Sequence, residues 1–134
     1  MNERQRAILR ILKKNFVYAS VFGLSLLFFL YKGFIYLIIG SYIPIVLIST
    51  IVILIILSSR KSEKSFKRII SIWVTLLVVW SSVRLLFSLI NQFLKPIPES
   101  HVSEQLGISG LILSLLFLSG AIYLWIYKKR IFEN

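Results

Sequence analysis

An all-α fold, a four-helix bundle spanning a membrane, is what this 134-residue sequence predicts. Three observations carry the prediction. The residues are 57% hydrophobic, above the roughly 45–50% of soluble domains, and the apolar ones lie in four long runs rather than evenly. The basic residues gather in the short segments between those runs, as membrane flanks do. A soluble domain of this size leaves too much of its surface in water to hide so much apolar area. The chain reads as one integral membrane domain, residues 1–134, with no internal repeat.

The first fourteen residues, "MNERQRAILRILKK", form a basic amphipathic lead-in. Ala7, Ile8, Ile11 and Leu12 share one helical face, while Arg6, Arg10, Lys13 and Lys14 fall elsewhere. Such a helix can lie in the membrane interface. The run that follows ends in "FFLYKGF" without a small-x-small cleavage site, so it reads as a retained anchor. The first span is residues 15–31, close to the ~17-residue minimum for crossing hydrocarbon. Lys32 and Gly33 are expected to break it, since glycine permits a helix stop and lysine suits a helix C-terminus. An alternative turn lies at Gly40–Pro44. The second span is residues 34–57, with a kink expected at Pro44. "SSRKSEKSFKR" is expected to be a polar loop, followed by a third span at 69–94. "KPIPESHVSEQ", with prolines that cannot continue a helix, forms the next connection, and a fourth span at 106–127 leads to "KKRIFEN".

The four spans are expected to form two helical hairpins. Orientation follows from charge. The N-terminal tail, the middle segment and the C-terminal segment hold thirteen of the sixteen basic residues, against one each (Lys32 and Lys95) for the two other connections. Under the positive-inside rule both termini face the cytoplasm, which an even number of spans also requires. Small size and the lack of other targeting features point to a bacterial cytoplasmic membrane. The net charge of +11 then reads as a topology signal and as attraction to anionic lipid headgroups at the cytoplasmic face. Nucleic acid is not an expected partner, because no recognition signature interleaves the charges.

The third span carries the most informative residue. In "VVWSSVRLLFSLINQF", Arg84 sits inside an apolar run. At 3.6 residues per turn, Ser81, Arg84, Ser88, Asn91, Gln92 and Lys95 fall on one side of the helix, opposite Val79, Leu86 and Ile90. Arg84 lies fifteen residues beyond Ile69, about 22 Å along a helix, past the middle of a ~30 Å hydrocarbon layer. An arginine there either snorkels outward, meeting Asn91, Gln92 or the acids of the Pro-rich loop, or holds an anionic group: a lipid headgroup, a ligand oxyanion or an acid on a partner's helix. The fourth span carries small residues at Gly107, Gly110, Ser114 and Ala121, a seam that lets helices approach closely, within the chain or against a second copy or partner. Gly23, beside Ser20, and Gly40 could receive it.

Enzymatic chemistry has little to work with. There is no cysteine, which excludes thiolate nucleophiles, Cys-ligated metals and disulfides. No span holds an aspartate or glutamate, the usual coupling group of proton- or cation-driven transporters. The one histidine, His101, with Glu99 and Glu104, makes a poor metal site and a solvated loop residue is the simpler reading. No cofactor or metal is expected. The sequence thus supports a non-enzymatic accessory subunit or scaffold whose third-helix stripe (Arg84, Ser81, Ser88, Asn91, Gln92) engages a partner helix or anionic lipid. The other reading is a small oligomeric transporter or channel with Arg84 at an anion-favouring constriction.

Overall fold

The computed structural model describes residues 1–93 and 107–132. Those residues form five helices and no strand: α1 (Glu3–Lys14), α2 (Phe16–Ile38), α3 (Ile43–Lys61), α4 (Glu63–Phe93) and α5 (Ile108–Phe132). The last four are long and apolar enough to cross a membrane. Apolar side chains stay exposed along them, from Leu24, Leu27 and Phe34 on α2 to Leu116 and Ile126 on α5, as expected of helices that hydrocarbon solvates. The chain divides into two compact units, Met1–Trp73 with Leu124–Asn134, and Val74–Tyr123.

Helix α1 forms because acid opens it and base closes it. Glu3 lies in its first turn and Lys13 and Lys14 in its last, matching the helix dipole, and the Gln5 side chain accepts from the Asn2 backbone N–H at 3.1 Å. The amphipathic reading holds, and part of the apolar face packs within the unit, with Ile11 and Leu12 half-buried and Ala7 exposed. Ile8 is buried, α1 contacts α2 and α3, and Arg4 donates to the Lys61 carbonyl at 2.6 Å. Asn15, expected as the first residue of a span, is instead the one-residue joint between α1 and α2, its side-chain amide donating to the Ile11 carbonyl at 2.9 Å.

The expected turn at Lys32–Gly33 is not there. Helix α2 runs through both residues to Ile38, and the reversal lies at the alternative site. Gly40 adopts φ +92°, its N–H donates to the Leu37 carbonyl at 3.0 Å, and the Ser41 N–H donates to the Tyr36 carbonyl at 2.9 Å. This paired closure around a left-handed glycine is a Schellman stop, and it satisfies the Tyr36 and Leu37 carbonyls at the end of α2. Pro44 consequently sits in the first turn of α3, where its missing N–H costs nothing, and it kinks no helix.

Gly33 has a different task. A Cβ placed on it would meet Ile45 Cδ1 at 3.1 Å, Ile45 Cα at 3.3 Å and Ile48 Cγ2 at 3.4 Å. It is a point of close approach between α2 and α3. Gly23, expected to receive a neighbouring helix, has nothing within 4 Å of such a Cβ, and neither has Gly40.

The expected loop at residues 58–68 reduces to a single extended residue. Ser62, with φ −167° and ψ 156°, ends α3, and its hydroxyl oxygen accepts from the Ser65 N–H at 3.1 Å, capping α4. The flanking Lys, Arg and Glu residues are strong helix formers, so one serine suffices to separate α3 from α4. The third span thus lies in a helix that begins at Glu63, and the fourth in one that continues to Phe132.

Within the first unit, aromatic and polar contacts hold the helices together. Tyr18 is buried and its hydroxyl donates to the Leu124 carbonyl at 3.4 Å. Phe132 meets Tyr18 and Phe66 edge-on, at 6.4 and 6.0 Å between centroids. Trp73 is a buried anchor. Its indole N–H donates to Ser25 Oγ at 3.0 Å, the Ser25 hydroxyl donates in turn to the Phe22 carbonyl, and Phe29 stands edge-on to the ring at 5.4 Å. Lys128 donates to Ser71 Oγ and lies 5.3 Å over Trp125. The three basic segments are thereby gathered at one end of this unit.

Replacing Gly33 with leucine should lower the thermal midpoint in detergent by the equivalent of about 1–3 kcal/mol, the usual cost of overpacking. Gly23→Ala should be neutral or raise it, since alanine is the better helix former by up to about 1 kcal/mol. Equal effects at the two glycines would show that α2 and α3 do not meet at Gly33.

Candidate functional site: the inner line of α4

Helix α4 buries one line of residues at alternating steps of three and four. In its first half the line is apolar: Phe66, Ile70, Trp73, Val74 and Leu77 are all buried. From Ser81 onward the same line turns polar. Ser81 and Ser88 are fully buried, and Arg84 and Asn91 are half-buried. The change of character along one face, with no change in helix geometry, defines the site.

The members of the stripe differ in what they have left to offer. The Ser81 hydroxyl donates to its own helix, at 2.6 Å to the Leu77 carbonyl, the usual way a serine satisfies itself within a helix. The Ser88 Oγ is also buried and makes no hydrogen bond among the described residues. Arg84 folds over Trp80, with its guanidinium carbon 5.2 Å from the ring centroid, and its Nε is shut off from solvent. Trp80 is braced in turn by Phe117 of α5, edge-on at 5.4 Å and 76°. Gln92, at the far end, is exposed.

The Arg84 guanidinium lies over a ring one turn back toward the start of α4, while the loop acids expected as its other partners lie outside the described residues. Helical side chains lean toward the N-terminus of their own helix, and here that lean points away from the nearer end. A ring quadrupole under a guanidinium stabilises it by about 2 kcal/mol when desolvated, so Trp80 offsets some of the cost of keeping the charge inside.

Of the fourth-span seam, Gly110, Ser114 and Ala121 are buried within the chain and Gly107 is half-buried. Ser114 donates to the Gly110 carbonyl at 2.7 Å. Lys95, Glu99, His101 and Glu104 lie outside the described residues. Two residues gain importance that sequence reasoning did not give them. Trp80 was legible as the i−4 partner of an arginine on one helix. Lys32, expected at a turn, lies within α2, and the Gly40–Pro44 turn signal was the cue. Comparison with protein-family models, with curated proteins and with solved structures finds no match to this chain.

The two buried serines should respond oppositely to truncation. Ser88→Ala removes a buried hydroxyl that lacks a partner and should raise stability by up to about 1 kcal/mol. Ser81→Ala should be neutral or destabilising by a similar amount. Denaturation of both variants in one detergent decides this, and a loss at Ser88 larger than at Ser81 would mean that the Ser88 hydroxyl is engaged.

Proposed function

We propose that this chain is a small polytopic membrane protein without enzymatic activity, an accessory subunit or scaffold. Its α4 stripe engages an anionic group, supplied by a partner helix or by anionic lipid. Four spans in two hairpins place both termini and the three basic segments at the cytoplasmic face of a bacterial cytoplasmic membrane, where they hold the anionic leaflet. The single observation behind the functional reading is the placement of Arg84: half-buried on the packed line of α4, its guanidinium over Trp80, with buried Ser88 one turn further on. A charge kept inside a membrane helix marks a binding or functional position. The orientation draws support from the Arg4–Lys61 and Phe66–Phe132 contacts, which bring the basic segments to one end, and from the positive-inside rule.

Arg84→Leu should leave the helices folded and abolish co-purification of the partner or of tightly held anionic lipid. Retention of both would defeat the proposal. In liposomes the unmodified chain should pass no anions; a flux that falls with Arg84→Leu would favour the oligomeric channel instead. The chain contains no cysteine, so single cysteines report sidedness cleanly. Asn2→Cys should react with an impermeant maleimide only from the cytoplasmic side, and Tyr42→Cys only from the opposite side.

A further inference from the structure

The continuity of α2 turns Lys32 from a turn residue into a second charge inside an apolar helix. Helix α2 extends six residues past it to Ile38, about 9 Å of further helix. Ile38 and Ile39 are 85% and 73% exposed, so hydrocarbon-seeking surface continues beyond the lysine. On the helix it follows Tyr18, Phe22, Ser25 and Phe29, the side that packs against Leu124 and Trp73. It stands at the edge of that side, half-buried, next to exposed Leu24 and Tyr31 on the one hand and buried Gly33 on the other. Its ammonium lies 5.9 Å from the Phe28 ring centroid, folded one turn back, away from the nearer helix end.

The long helices hold nothing to balance this charge. Their one acid is Glu63, in the first turn of α4, and no ion pair to Lys32 occurs among the described residues. We propose that Lys32 is a recognition residue for a membrane partner whose spanning helix carries a carboxylate at matching depth. Depth selects this occupant over lipid. A lipid phosphate would have to sink about 9 Å below the end of α2, whereas a spanning helix can carry an acid at any level. The ammonium is folded back from the end of α2 toward Phe28, and exposed Leu24 and Tyr31 on that flank of the helix give an apolar edge along which a helix can lie. The inference rests on the accessory-subunit reading and names the chemistry of the partner.

The probe is a synthetic Leu/Ala-rich spanning peptide carrying one Glu about 9 Å inside its end, compared with its Gln isostere. Association with the labelled full-length chain is read by energy transfer in phosphatidylcholine vesicles. The Glu peptide should bind about tenfold more tightly than the Gln peptide. Lys32→Met should erase that preference, while Lys32→Arg and Arg84→Leu should keep it. Equal binding of the two peptides, or a preference that survives Lys32→Met, overturns the proposal. So does a preference that vanishes when phosphatidylglycerol replaces some of the phosphatidylcholine, because lipid phosphate would then be the occupant. Failure at Lys32 leaves the Arg84 test standing, and failure at Arg84 leaves this one, so the two are told apart.

Discussion

Hydrocarbon accepts apolar side chains on every side of a helix but offers no hydrogen bond to a polar group and no screening to a charge. Nearly every feature of this molecule answers to that constraint. The outward faces of α2 to α5 need no protein partner, so they stay exposed. The polar groups do need partners, and within the first unit they decide where helices touch. Trp73 reaches Ser25, Tyr18 reaches the Leu124 carbonyl, and Lys128 reaches Ser71. Without a hydrophobic drive between spans, such bonds and close steric fit hold a membrane fold together, and Gly33 against Ile45 supplies the steric fit.

The same constraint gives the two interior cations their meaning. Arg84 and Lys32 each lie over an aromatic ring four residues earlier on their own helix. The lean of helical side chains toward the N-terminus accounts for both. Each charge thus lies within the apolar length of its helix with an aromatic ring beside it. The basic end is built differently: its charges are mostly exposed, suited to a diffuse anionic surface and not to a single ligand.

The four apolar helices were legible because length and lack of charge are all that a bilayer asks of a span. The polar line on α4 was legible because Ser81, Arg84, Ser88 and Asn91 repeat at helical spacing. The boundaries were not. Lys32 drew the turn to itself because a lysine is expected at an interface, yet the chemistry that stops a helix lay at Gly40, where only a left-handed residue closes the last carbonyls. The segment around Ser62 read as a loop because it is charged, although its residues are good helix formers. Glycine was equally ambiguous in one dimension: Gly23 and Gly33 look alike in the sequence, and only the packing of α3 distinguishes open space from contact.

The joints at Asn15 and Ser62 are each one residue long. Helices therefore follow one another at the basic end with no slack between them, and the Arg4–Lys61 bond ties the first to the third. A grafted loop, a fused reporter or a natural insertion at either joint could be housed only by unwinding a helical turn and releasing its backbone groups. Tolerance for added sequence belongs elsewhere in the chain, and the crowded end is the region least free to diversify in length.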